Sequence, residues 1–190
     1  MNDENYGIWI TLKEKMMACS GCYLKSDNRI LDSGDRTARI MIVNDRPSDT
    51  ECQTGNMFSG TVGEYVDGML SLIGISPDSV YKTALVNCAS SETLKSEAIN
   101  ICIKCLRNQF KLVRPEIVIC LGSRVSKVLV GDDFVLSRDH GKMINKGKVM
   151  FMGVPHPSSI KYNDDVRDAI LGDFMVLQEF CKTYPEFRNL

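Results

Sequence analysis

The stretch "ARIMIVN", residues 38–44, decides the fold. Ile40 to Val43 are all apolar, and three of the four are β-branched. A strand with one face in water would alternate apolar and polar residues, whereas an unbroken apolar run is what a strand buried on both faces requires. "SVYKTALVN" (79–87), "EIVICLG" (116–122) and "KVMFMGV" (148–154) have the same character. Helical patterns separate these runs. "GEYVDGMLSLIGI" (63–75) is apolar at 66, 69, 70 and 73, and "SEAINICIKCLRNQFKLV" (96–113) at 99, 103, 106, 110 and 113. "SRVSKVLVG" (123–131) opens on a serine suited to capping, and "VRDAILGDFMVLQEFCKTY" (166–184) is the last pattern. Residues 8–18 read as a short helix. Alternation of strand and helix predicts an α/β chain: a three-layer α/β/α sandwich around a central, mainly parallel four-stranded sheet. Neither a repeat nor a low-complexity linker interrupts it, so residues 1–190 are expected to form one domain. Ligands of such sheets bind beyond the carboxyl ends of the strands, here the loops after residues 43, 86, 122 and 154.

With 190 residues, 44% of them hydrophobic, the chain can bury a full core without a disulfide. A net charge of −1 excludes a strong overall field, so a nucleic-acid partner would need a local basic patch. No apolar run is long enough to span a bilayer. "MNDENYGIW" is acidic and polar, unlike a secretion signal, so a cytoplasmic location is expected.

Eight cysteines in such a chain point to reduced thiols rather than a disulfide framework. "ACSGC" (18–22) holds the pair Cys19 and Cys22. The pair alone is compatible with a redox dithiol, half of a metal site, or chance. Cys120 lies in an apolar strand and Cys181 on the last helix, and both read as small buried hydrophobes. Cys88 ends a strand and Cys102 lies on the following helix, completing a set of four thiolates with Cys19 and Cys22. Zinc or an iron–sulfur cluster would satisfy such a set. Cys105 makes a second C-x-x-C with Cys102, so the helix offers a choice of ligand.

Over roughly residues 19–181 the chain resembles the iron–sulfur (family 4) uracil-DNA glycosylases. Cys19 and Cys22 look like that family's first cluster pair. "ARIMIVNDRPSDTE" is similar to its first strand and water-activating loop, G-E-x-P-G-x-x-E. "GNMFSGTVG" resembles G-x-P-F-V-G-x-A-G, and "VYKTALVNC" resembles V-Y-I-T-N-V-V-K-C. "CIKCLRNQFKLVRPEIVICLG" resembles the segment that begins on the fourth cysteine, and the alignment selects Cys102. "VPHPSS" resembles the T-x-H-P-S loop. The resemblance implies a four-iron four-sulfur cluster on Cys19, Cys22, Cys88 and Cys102, tying the N-terminal segment to the rest. It implies catalytic roles for Asp45 and His156, and Phe58 as the ring that stacks on an extruded base. DNA is then the expected partner of a monomeric enzyme, without membrane or nucleotide cofactor.

The chemistry of base excision fits those positions. The nucleotide must leave the duplex to be reached. Breaking its glycosidic bond develops positive charge on the sugar and negative charge on the base. A carboxylate such as Asp45 can orient water beside the sugar, and a neutral imidazole at His156 can donate to the departing base. Taken alone, Asp45 before Arg46-Pro47 is an ordinary turn residue and Phe58 an ordinary core residue. Arg138, His140 and Lys142 form a basic loop suited to the DNA backbone, or a solvated surface loop. Ser158, Ser159 and Lys161 are further candidate phosphate contacts.

The departures concern base recognition. The family's Glu is Asp45, and its flanking glycines are Asn44, Arg46 and Ser48. The asparagine that reads uracil aligns with Ala84. A lost amide and gained space predict a bulky modified pyrimidine, such as the glucosylated hydroxymethylcytosine of phage DNA, excised in anti-phage defence, with Asn44, Arg46 or Ser48 at the substituent. The alternatives are uracil excision in repair, a non-catalytic iron–sulfur DNA-binding protein, and a thiol redox protein.

Overall fold

The computed structural model describes residues 3–24 and 28–184. The four expected strands are present: β2 (Ile40–Asn44), β3 (Tyr81–Ala84), β4 (Ile117–Leu121) and β6 (Val149–Val154). They lie parallel in the order β3-β2-β4-β6. Two short strands add antiparallel edges that the sequence does not announce: β1 (Ser33–Gly34) beside β3, and β5 (Ile144–Lys146) beside β6. The sheet is therefore six-stranded and mixed rather than four-stranded. Strands of two or three residues leave no periodic pattern to detect.

The unbroken apolar runs have a direct structural reading. Side chains alternate across a strand. Met41, Val43, Val118 and Cys120 enter one buried cluster, and Ile40, Ile42, Ile117 and Ile119 enter the other. The first cluster is closed by α1 (Asp3–Met17), α4 (Ser96–Val113) and α5 (Ser123–Val130). The second is closed by α3 (Thr61–Leu72) and α7 (Asp165–Thr183), through Val66, Leu70, Ile170, Phe174 and Leu177. This is the α/β/α sandwich. Each fully buried aliphatic side chain of β2 and β4 stabilises it by about 1.5–3 kcal/mol. Two short helices, α2 (Asp49–Thr54) and α6 (Leu136–Asp139), interrupt the loops. No helix among the described residues is long and apolar enough to cross a membrane. Cys120 and Cys181 are buried, as expected of packing residues.

Helix α1 is held by its own packing. Trp9 is wholly buried and meets Tyr81 of β3 edge-on at 5.8 Å, with the Arg36 guanidinium 4.7 Å from its ring. The N-terminal segment is thus attached through the core independently of the cysteines.

Candidate active site

Strands β2 and β6 flank β4, and all three end on one side of the sheet. This brings Asn44 and Asp45, at the end of β2, to His156, two residues beyond β6. The chain turns at Gly122 after β4 with φ +86, a conformation glycine adopts without strain, and a Cβ there would lie 3.3 Å from the His156 Cβ. A side chain at 122 would press on the imidazole. Beyond these strand ends opens a cavity of about 600 Å³, lined by Asn44 to Ser48, Glu51, Ser59 to Glu64, and His156.

The hydrogen bonds assign the His156 tautomer. The Ser158 backbone N–H donates to His156 Nδ1 at 3.2 Å, so Nδ1 is the acceptor and the proton sits on Nε2. Nε2 then donates to Asn44 Oδ1 at 3.0 Å. The amide is itself oriented: Asn44 Oδ1 accepts from the Asp45 N–H at 2.8 Å, and Nδ2 donates to the Arg46 carbonyl at 3.1 Å. Burial pushes the imidazole's pKa down, against the raising effect of the Asp45 and Glu51 charges. His156 therefore rests as a neutral ring with a defined donor.

Asp45 lines the cavity and its Oδ2 accepts from Arg124 at 2.9 Å, with the Arg46 Nε 3.9 Å away. The Arg46 guanidinium is committed elsewhere. It donates to the carbonyls of Ser90 at 2.7 Å and Glu92 at 2.6 Å, and so pins the loop after Cys88. Ser48 caps α2, its hydroxyl donating to Glu51 at 2.6 Å.

Glu51 escaped the sequence analysis as a site residue. Its buried carboxylate accepts from the Ser48 N–H and hydroxyl and from the Phe58 N–H. One side chain thus ties the Asp45 loop to the Phe58 loop. Ser48-x-x-Glu51 is a capping box, a signal readable in the sequence.

Two residues expected at the base pocket are buried in the core. Phe58 is 4% exposed, packs in the core cluster with Met57 and Val66, and is not among the residues that line the cavity. Its φ of +66 is costly for a residue with a Cβ, on the order of 1 kcal/mol. The Glu51 hydrogen bond and core packing hold it there. Ala84 is wholly buried in the same cluster and is not among the residues that line the cavity. Sequence alignment registers a position along a strand, but which way its side chain faces a loop depends on packing.

The basic loop is neutralised locally. Arg138 Nη2 and Lys142 Nζ both bind the Asp139 carboxylate, at 2.7 and 3.0 Å, and these cations hold its pKa well below the usual range. His140 Nδ1 lies 2.8 Å from Asp173, whose carboxyl burial pushes up to about 6 against the lowering effect of His140. The loop is a set of internal pairs rather than a free cationic patch. Ser158 is engaged with His156. It and Lys161 border a second, adjoining cavity of about 440 Å³, while Ser159 is half-buried in the same turn.

Cys19, Cys88, Cys102 and Cys105 line a separate pocket of about 200 Å³, on the far side of the loop pinned by Arg46. Cys22 is buried in the adjoining core. Arg29 joins the segments. Its Nη1 donates to the carbonyls of Met16, Met17 and Cys19 at 3.1, 2.8 and 2.6 Å, and its backbone bridges Cys88 in antiparallel fashion. Burial pushes the Cys102 thiol up to about 11. A hydrogen bond from the Asn87 backbone opposes this, and Cys88, Cys22 and Cys19 add to it. Among the described residues no three ligating side chains are gathered as one metal ion requires.

The chain matches the profile of the uracil DNA glycosylase superfamily over residues 31–175. It is similar to the type-4 uracil-DNA glycosylase of Archaeoglobus fulgidus, 26% identical over 88% of this chain and 90% of that protein. The type-4 uracil-DNA glycosylase of Sulfurisphaera tokodaii is 25% identical over 90% of this chain and 84% of its own. That of Thermotoga maritima is 25% identical over 90% and 93%. The profile match spans the strand ends that carry Asp45 and His156 and most of the sandwich, and the chain belongs to the uracil DNA glycosylase superfamily.

Proposed function

We propose that this DNA glycosylase hydrolyses the bond between a flipped-out base and its sugar, with Asp45 and His156 as its catalytic residues. The observation that carries this is the neutral His156, its Nε2 proton held on Asn44 Oδ1, beside a cavity that Asn44, Asp45 and His156 all line. A carbonyl of the entering base takes the place of Asn44 Oδ1 as acceptor for that proton. As the glycosidic bond breaks, its electron pair leaves with the base, and the donated hydrogen bond strengthens with the developing charge. Asp45 accepts a proton from the water that adds to C1′ and stabilises positive charge on the sugar. Partial charges of both signs are thus met by groups already in position.

Uracil in DNA is the first substrate, because the relatives are named for it. A modified pyrimidine remains as a second reading because the cavity, about 600 Å³, exceeds what a bare pyrimidine fills. An anti-phage role has no support in the geometry. Parallel assays of base release from uracil-containing DNA and from glucosylated phage DNA separate the two. Release of uracil alone establishes the first; release of the glucosylated base alone establishes the second. Release of neither, with DNA still bound, would return the chain to the non-catalytic DNA-binding alternative.

Cys19, Cys22, Cys88 and Cys102 suit a four-iron four-sulfur cluster. The fit rests on Cys19, Cys88 and Cys102 lining one pocket with Cys22 buried in the adjoining core, and on burial that raises the Cys102 thiol, an effect a metal's charge would offset. When bound it supplies a structural cross-link between the Cys19 loop, the Cys88 loop and α4. Equal iron and acid-labile sulfide, four of each per chain by the cluster's formula, is the expected analysis. Stoichiometric zinc without sulfide would overturn it.

A further inference from the structure

We infer that Arg124 is a positioning residue for the Asp45 carboxylate, an inference that rests on the glycosylase reading above. Arg124 is the second residue of α5, just past the turn that ends β4, the strand between those carrying Asp45 and His156. From there its Nη1 reaches Asp45 Oδ2 at 2.9 Å, across 79 residues of sequence. Oδ1 takes no hydrogen bond among the described residues, so one carboxylate oxygen is held and the other is left for water. Asp45 is one methylene shorter than glutamate, so its reach depends on where its loop and its partner hold it.

The two arginines around Asp45 differ in what they are tied to. Arg46 is fixed by two carbonyls of the 90–92 loop and approaches Asp45 only to 3.9 Å. Arg124 makes its one side-chain hydrogen bond among the described residues to Asp45. Its side chain is 41% exposed against 25% for Asp45, and Asp45 but not Arg124 lines the cavity. A guanidinium so placed orients the carboxylate and restrains its rotation. Both are needed by a group that must take a proton from water. Water screens the pair, so its contribution to folding is small. Its value lies in aiming the oxygen.

The test is a double-mutant cycle on the full-length protein. Single-turnover base release is measured on whichever DNA the wild type cleaves, at saturating protein, alongside DNA affinity. Arg124→Gln is expected to lower the saturated rate on the order of tenfold to a hundredfold, the scale of a misaimed catalytic group, with affinity nearly unchanged. Arg124→Lys restores part of the rate. In an Asp45→Asn background, Arg124→Gln costs less than about twofold more, because the group it aims is gone. If Arg124→Gln lowers the rate equally in both backgrounds, or weakens DNA binding while leaving the saturated rate intact, the inference fails and the glycosylase reading stands. A wild type that releases no base from any DNA overturns both.

Discussion

The strand-end site and the cysteine pocket are built on different principles. At the strand ends His156, Asn44 and Glu51 are already held by their partners. Asn44 satisfies His156, Asp45 and its own loop, and Glu51 joins two loops through three hydrogen bonds. The site is assembled by the fold. In the cysteine pocket the backbone is arranged, chiefly by Arg29, while Cys19, Cys88 and Cys102 line a pocket and burial raises the Cys102 thiol. The first site is therefore expected to hold its shape alone, and the second to be completed by what it binds. Arg46 connects them, since it lines the catalytic cavity and holds the loop that follows Cys88.

The largest effect that could break this comparison is at the first site. Asp45→Asn and His156→Ala should each lower base release by roughly a hundredfold or more, with DNA affinity and melting temperature close to wild type. A large loss of stability in either would mean that the site is not independent of the fold's energetics.

Next comes the second site. Cys88→Ser should lose iron and sulfide together, and the melting temperature should fall. In a chain of this size about 1 kcal/mol shifts the transition by roughly 2–4 °C, so calorimetry resolves even a partial loss. Base release by the folded fraction should survive better than in Asp45→Asn. If it is abolished as completely, the cysteine region does more than hold the structure.

Glu51→Ala sharpens the comparison from inside the first site. It leaves the buried Phe58 N–H without its acceptor, at a cost of about 1–3 kcal/mol in stability. It also frees the Ser48 and Phe58 loops, so the rate of base release should fall with it. Equilibrium unfolding and single-turnover rates measure the two effects separately.

A smaller effect is expected with pH. Burial holds the folded His156 pKa below the ordinary 6.5. The neutral ring therefore persists in mildly acid solution where an exposed imidazole would be charged, and base release drops only as pH falls through the folded value. Stability follows the same sign. The unfolded chain takes up the proton first, so the contribution of His156 is complete above the unfolded pKa and is lost as pH falls through the folded one. In a pH–rate profile the His156-dependent limb should lie on the acid side of 6.5; a limb on the alkaline side would contradict the neutral-donor assignment.

The smallest effect should come from the basic loop. Because Asp139 already neutralises Arg138 and Lys142, Arg138→Ala should change DNA affinity little and leave its salt dependence unaltered. A slope reduced by about one would make Arg138 a phosphate contact after all.

The sandwich was legible because its evidence is local. Each of the four long strands is an unbroken apolar run, and a run of that kind has few ways to be buried except between two helical layers. The cysteine segments and the Asp45 and His156 loops were legible as motifs for the same reason. The edge strands were not, since two or three residues carry no period. Nor was the direction of the Phe58 and Ala84 side chains. Both lie in segments that the motifs mark, yet the Glu51 carboxylate and the α3-side core hold Phe58 and enclose Ala84.

By itself, then, the sequence determined the layers, the order of the parallel strands' motifs, and which residue types stand at their ends. Only the tertiary structure decided which of those residues act together. His156 meets Asn44 across 112 residues and Arg124 meets Asp45 across 79. Contacts at such separations are set by how strands stack and where loops are pinned. A hydrophobic pattern of period two or 3.6 carries no record of either.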